Sequence, residues 1–293
     1  MVRVKQEPAV DFPPPSFVDL SGFRMAYREW GPVDAARTVV LLHGIASSSL
    51  SWIAVAPALA RRHRVLAVDL RGHGESGRPA TGNRIVDQAR DAAEFCVALG
   101  LGRPAVVGHS WGGAVALQLA TSTDLVGRLV LEEPAFSDHE RDLRQWAQAQ
   151  KRFAGWRNLS RPDAERRASA YLARGWTETH VVGGDRDPFE AFLREPIKVD
   201  AAIADIPAEA RTVFAENGPW RLHELAPELR CPTLLLYAAP ELGGCVDPEA
   251  LALARANRHV RAVLVAGADH SLHFSRFEGF MAVVEPFLAG QDA

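Results

Sequence analysis

From residue 17 onward the chain alternates short apolar runs with amphipathic segments. The runs at 17–20 and 23–30 flank Ser21-Gly22 and read as two strands joined by a turn. TVVLL, at 38–42, is apolar almost throughout, the pattern of a strand covered on both faces. Comparable runs at 65–70, 105–107, 129–131, 232–237 and 261–265 bring the expected strands to about eight. Helical stretches separate them. Over 84–99, Ile85, Ala89, Ala92, Cys96 and Leu99 fall on one face at 3.6-residue spacing. Further helices are expected near 50–61, 112–121 and 248–257, and from about 277.

The alternation stops between 135 and 222, a stretch of helical character richer in Arg and Trp, and resumes with PTLLLY at 232–237. Apolar strands separated by helices imply a doubly wound, mostly parallel α/β sheet with helices on both sides. The division expected is an extended tail over 1–16, with three prolines at 13–15, a core from 17–134 and 223–293, and a helical cap at 135–222. The cap enters after the C-terminal end of a strand, where such sheets bind ligands.

Composition narrows the function classes. The 293 residues are 47% hydrophobic and 24% charged, enough apolar material for a sizeable core. A net charge of −3 leaves no electrostatic footprint for nucleic acid or an anionic membrane, so neither partner is expected. No run approaches the roughly 18–20 apolar residues that span a bilayer, and the N-terminus lacks the apolar stretch of a secretory signal. Cys96, Cys231 and Cys245 are odd in number and show no CxxC spacing, which reads as reduced thiols in a cytoplasmic protein. Cys96, on an apolar helix face, is expected to be a buried, inert thiol. No metal-ligand spacing or nucleotide-binding glycine loop appears, so no metal and no cofactor is implied. The expected partner is a small-molecule substrate; the oligomeric state is left open.

The chemistry concentrates at Gly108-His109-Ser110-Trp111-Gly112, a G-x-S-x-G pattern between an apolar strand and a small-residue helix. In that setting the glycines allow a turn sharp enough to push a serine side chain out of the backbone. Ser110 is the candidate nucleophile. A serine hydroxyl needs a base, and the base of this arrangement follows the last strand. His270 stands there, immediately behind 261–265, with His273 as the fallback. The oxyanion formed on the attacked carbonyl needs preset donors. The N–H of Trp111 is one and that of Ile45, beside Gly44 after strand 38–42, is the other. The side chain of His43 is expected only to brace that loop.

VVLLHG (39–44), VLAVDLRGHGESGRP (65–79), VVGHSWGGAVALQLA (106–120), CPTLLLY (231–237) and AGADH (266–270) resemble, in order, the landmarks of the α/β-hydrolase superfamily. The resemblance covers most of 17–290 and implies that superfamily's fold with a helical cap. It also implies that Asp69 and the loop after it serve structure rather than catalysis. The G-H-x-W-G-G elbow resembles epoxide hydrolases and haloalkane dehalogenases, which carry aspartate at the nucleophile. Serine attacking an sp3 carbon would leave an inert ether, so Ser110 requires an acyl carbon. In this superfamily the third triad member usually follows the strand equivalent to 232–237, but AAPELGGCVDPEA has no aspartate before Asp247. Some members take the acid from the strand before the cap, where Glu132-Glu133 stand here. Successive strand residues point to opposite faces, so at most one of the two can aim at His270. Glu133 is the preferred acid; Glu241, Glu132 and Asp247 remain alternatives.

Trp146, Trp156, Trp176 and Trp220, with Phe136, Phe153, Tyr171, Phe189, Phe192 and Phe214, make the insertion aromatic. Such lids present apolar area to a ligand or form their own small core. The preferred substrate is a carboxylic ester or lactone of a medium-sized hydrophobic or aromatic molecule. Carbon–carbon bond hydrolysis, thioester hydrolysis and a hydrolase-like small-molecule receptor are the alternatives.

Overall fold

A computed structural model of the protein describes residues 13–45, 47–79, 82–135 and 222–291. The apolar runs become β1 (Ser16–Leu20), β2 (Phe23–Trp30), β3 (Thr38–Leu42), β4 (Arg64–Val68), β5 (Ala105–His109), β6 (Arg128–Glu132), β7 (Thr233–Tyr237) and β8 (Val260–Leu264). They form one eight-stranded sheet in the order β1-β2-β4-β3-β5-β6-β7-β8. β2 runs antiparallel to both of its neighbours, and every other pairing is parallel. The helices are α1 (Val55–Leu59), α2 (Ile85–Ala98), α3 (Trp111–Ser122), α4 (Pro248–Ala256), α5 (Leu272–Ser275) and α6 (Phe277–Leu288). Among the described residues no helix is long and apolar enough to cross a membrane.

The continuous apolar runs are explained by burial on both sides. Val40, Leu42, Leu66, Val106 and Leu129 pack with residues of α2, α3 and α4. Their alternating neighbours Val39, Leu41, Val65, Val107 and Val130 pack with residues of α1, α5 and α6 on the opposite face. The sheet is a doubly wound layer between two sets of helices, as its periodicity implies. Cys96 lies on the inward stripe of α2, and burial pushes its thiol up to about 12, so it stays protonated and inert.

Two local expectations are corrected. The helix expected near 50–61 is a 3-10 turn over Ser49–Trp52 followed by the five-residue α1. Pro57 lacks an N–H to donate one turn back, so it is accommodated only in the first turn of a new helix. The strand expected over 65–70 ends at Val68, because Asp69 and Leu70 turn into a loop built on the Asp69 side chain. The cap and the aromatic residues proposed to line it, at 136–221, lie outside the described residues.

The strand order places a switch point at β3, with β4 on one side and β5 on the other. Connections leave in opposite directions there, opening a crevice at the carboxyl ends of the strands. Leu42 is level with Gly108, His109 with Glu132, and Glu132 with Leu236. The residues that follow β3, β5, β6 and β7 therefore emerge side by side.

This juxtaposition depends on α3 starting directly against β3. A methyl group on Gly112 would lie 2.3 Å from the Leu42 carbonyl oxygen and 2.5 Å from that of His43. Both are backbone atoms that cannot swing aside. Gly112→Ala is therefore expected to cost at least about 2 kcal/mol, within the range of core overpacking. Urea unfolding followed by circular dichroism checks it, and an unchanged midpoint would contradict this view of the α3 contact.

Candidate active site

Ser110 joins β5 to α3 with φ 51° and ψ −113°. It and Glu133 are the two non-glycine residues with positive φ among the described residues. Such conformations cost of order 1–3 kcal/mol and persist only where surroundings over-determine them. Here they do. The Ser110 N–H donates to the Glu132 carbonyl at 2.9 Å, and its own carbonyl accepts from Ala114 at 3.1 Å and Ala135 at 2.9 Å. A Cβ on Gly108 would meet the Gly112 oxygen at 2.3 Å, and one on Gly113 would meet Pro134 Cβ at 2.9 Å. The strained serine is thus clamped between the start of α3 and the end of β6. Trp111 turns its indole into the core, where Nε1 donates to Gln88 Oε1 at 3.0 Å. As the first residue of α3, it presents its backbone N–H at the positive end of the helix.

Opposite the elbow stands the loop after β3. Gly44 approaches so closely that an added Cβ would lie 2.9 Å from His109 Nδ1 and 3.4 Å from Ser110 Cβ. The half-buried Ile45 follows, packed against the core cluster on the α2 and α3 side. The fully buried His43 fixes the path of this loop. Leu70 N–H donates to its Nε2 at 3.0 Å, so the proton sits on Nδ1, which donates to the Gly44 carbonyl at 2.7 Å. Asp69 holds the next layer, accepting from Ser49 N–H at 2.6 Å and Glu75 N–H at 2.9 Å. His43 and Asp69 are buried and shape these loops.

His270 follows β8. Its Nδ1 lies 3.3 Å from Glu133 Oε2 and 3.3 Å from Cys245 Sγ. The Glu133 carboxylate is fully buried. It accepts from the backbone N–H groups of Ala238 at 2.7 Å, on Oε1, and Cys245 at 2.5 Å, on Oε2. Burial alone would lower the His270 pKa, but the Cys245 and Glu133 side chains at Nδ1 hold the proton and raise it well above 6.5. The hydrogen bonds of His270 run to Glu133 and Cys245 rather than to the Ser110 hydroxyl. His109 links the two halves, since it precedes Ser110 and its Nε2 donates to the His270 carbonyl at 3.0 Å.

The other candidate acids and the fallback base are otherwise engaged. Glu132 and His273 pair with each other in the interior, His273 Nδ1 lying 2.7 and 2.9 Å from the two carboxylate oxygens. His273 also donates its backbone N–H to Glu132 at 2.9 Å and stacks on Trp52, ring centroids 4.5 Å apart. Glu241 is exposed in a short 3-10 turn, and Asp247 caps α4 by accepting from Ala250 N–H at 2.7 Å. Of the four carboxylates, Glu133 is the one whose oxygen lies within hydrogen-bonding reach of His270. Nothing in the sequence marks Cys245 as more than a reduced thiol. It stands 25 residues from His270 and 112 from Glu133, separations that carry no spacing signal.

The chain matches the alpha/beta hydrolase fold family over residues 37–277. It is similar to a soluble epoxide hydrolase of Corynebacterium sp. (strain C12), with 42% identity over 113 residues, 38% of each chain. It is also similar to a haloalkane dehalogenase of Mesorhizobium japonicum, with 31% identity over 153 residues, 52% of this chain and 49% of the relative. The chain thus spans half or less of the length of these curated relatives. Among solved structures, an enol-lactonase from Burkholderia xenovorans LB400 superposes with a TM-score of 0.71 at 22% identity, covering 94% of this chain and 100% of that one. A carboxylesterase from Bacillus subtilis gives 0.71 at 22% identity, covering 96% and 92%. At such identity these two share the fold.

The buried imidazoles beneath the crevice make a pH prediction. Burial, the largest influence on each, lowers His43 and His109 from 6.5 to about 3. A depressed folded pKa contributes stability that is complete above the unfolded value and is lost as pH falls toward the folded one. Unfolding below 6.5 should take up about two protons on their account, a slope approaching about 2.7 kcal/mol per pH unit. His270, with its raised pKa, acts oppositely and only above 6.5. Urea midpoints should therefore fall clearly from pH 6.5 to 5, and equal midpoints across that range would contradict the neutral, buried state of the pair.

Proposed function

The chain belongs to the alpha/beta hydrolase family, and from that premise we propose that it is a serine hydrolase acting on an ester or lactone. The observation that carries this reading is the strained Ser110, clamped at the crevice with the Glu133-held His270 on the neighbouring loop. In the proposed reaction the Ser110 hydroxyl attacks an acyl carbon while His270 Nε2 takes its proton. The N–H groups of Trp111 and Ile45 receive the developing oxyanion. His270 then protonates the leaving group, and a water activated in the same way releases the acyl group. Glu133 keeps the imidazole proton on Nδ1, so that Nε2 faces the serine as an acceptor.

Ser110 itself separates this chemistry from that for which the curated relatives are named. A serine ether formed by attack on an epoxide or alkyl halide would not hydrolyse, whereas an acyl-serine does. Thioester and carbon–carbon hydrolysis also pass through an acyl-serine and stay with the same machinery. A pure receptor has no use for a serine held at a cost in backbone strain. The aromatic residues of the cap region support an apolar, medium-sized acyl or alcohol group. No disulfide joins the three cysteines, which supports a reducing, cytoplasmic setting.

On a panel of p-nitrophenyl esters, Ser110→Ala is expected to lower turnover on the order of 10⁴-fold or more while keeping the circular dichroism of the parent. A fluorophosphonate probe should add one mass increment to the parent and none to the variant. Residual activity within tenfold of the parent would rule out the serine mechanism.

A further inference from the structure

Glu133, Cys245 and His270 have ligand atoms that all lie within 4.8 Å of one another. We propose that these three side chains form a zinc-binding site, and that the ion switches the enzyme off by taking the nitrogen Glu133 otherwise holds. Loss of activity rests on the hydrolase reading above; binding of the ion does not.

The donor set and its spacing support this. A thiolate sulfur, an imidazole nitrogen and a carboxylate oxygen together suit a borderline ion such as Zn²⁺ and not Mg²⁺ or Ca²⁺, which take oxygen. With Zn–S about 2.3 Å and Zn–N and Zn–O about 2.1 Å, tetrahedral angles separate N from S by about 3.6 Å and N from O by about 3.4 Å. The corresponding distances here are 3.3 Å for Nδ1 to Sγ and 3.3 Å for Nδ1 to Oε2. Both distances from Nδ1 are within a few tenths of an ångström of those values, and the third, from sulfur to the carboxylate, is no more than 4.8 Å; a fourth position is left for water. The surroundings already orient the ligands through hydrogen bonds to their free atoms. Backbone N–H groups of Ala238 and Cys245 hold the Glu133 carboxylate, and the Cys245 thiol leans on the Gly243 carbonyl at 3.8 Å. A route in exists, since Cys245 is only partly buried and the His270 side chain is 36% exposed.

The proton balance gives the mechanism of inhibition. Cys245 loses its thiol proton to solvent as the sulfur binds. A metal on Nδ1 requires the neutral imidazole to carry its proton on Nε2. That nitrogen is then a donor and can no longer accept the Ser110 proton. One ion binds, the thiol proton leaves together with the second imidazole proton where the ring is charged, and the base is locked in the wrong tautomer.

The test uses the full-length, tag-free chain, stripped by chelation and kept in a non-chelating reductant. Titration with Zn²⁺ is expected to saturate at one ion per chain and to inhibit ester hydrolysis over the same concentrations, with Mg²⁺ inert. Titration with Co²⁺ should produce thiolate-to-cobalt charge-transfer absorption. Cys245→Ser should abolish that absorption and weaken Zn²⁺ binding at least about tenfold, with inhibition scored against the variant's own metal-free rate. Ser110→Ala should retain the absorption. No charge-transfer band in the parent, or unchanged Zn²⁺ affinity in Cys245→Ser, would overturn the site. A chain that shows the band but hydrolyses no ester would keep the metal site and remove the hydrolase reading instead.

Discussion

The crevice is organised around one buried carboxylate. Glu133 leaves β6 with φ 44° and places its side chain among backbone amides of the segment after β7 and the imidazole that follows β8. Taking a carboxylate out of water is tolerable only where its oxygens are hydrogen-bonded or paired. Ala238 N–H, Cys245 N–H and His270 supply those contacts, so the burial of Glu133 dictates where three separate chain segments run. The neighbouring backbone is committed in the same way, since Glu132 O accepts from Ser110 N–H and Glu133 N–H donates to Leu236 O. The strained serine and the histidine are therefore registered against the same two residues, the last of β6 and the one after it.

Two adjacent acidic residues end up with unlike tasks because β6 ends between them, Glu132 being its last residue and Glu133 turning out of it with φ 44°. Glu132 is directed into the interior beside Trp52 and α5, where it is matched by His273. Glu133 is directed to the crevice. Without His273, the buried Glu132 would be an uncompensated charge at the end of the strand that carries the site. His109 lies between the two pairs, its ring 5.0 Å from that of His270 and 5.1 Å from that of His273. Two Glu–His pairs thus flank one neutral imidazole, one in the interior beside Trp52 and the other joining the segments after β6 and β8.

Much of this was legible in the residues themselves. Runs such as TVVLL, apolar almost throughout, can satisfy both faces only inside a layered sheet, and that layer is present. The glycines around Ser110 marked the elbow, because each sits where a Cβ would strike backbone or a packed proline. The acidic pair before the cap region limited the candidate acids, and Glu133, just past the end of β6, is the one that reaches His270. Other features depend on contacts between distant segments. Cys245 reaches His270 through the shape of the loop after β7, and the pairing of His273 with Glu132 bridges 141 residues. Pro57 was visible, but its division of the helix expected near 50–61 followed from where the hydrogen-bond ladder could begin.

The central claim, that Glu133 holds His270 in the tautomer that activates Ser110, is tested most directly by the kinetics of Glu133→Gln. The amide keeps the size of the side chain and an oxygen for one backbone N–H, but loses the charge and presents an NH₂ where Nδ1–H needs an acceptor. With folding verified by circular dichroism, kcat for ester hydrolysis should fall by about 10²–10⁴-fold, and Glu241→Gln should stay within about twofold of the parent. A folded Glu133→Gln protein that hydrolyses esters within tenfold of the parent rate would contradict the account.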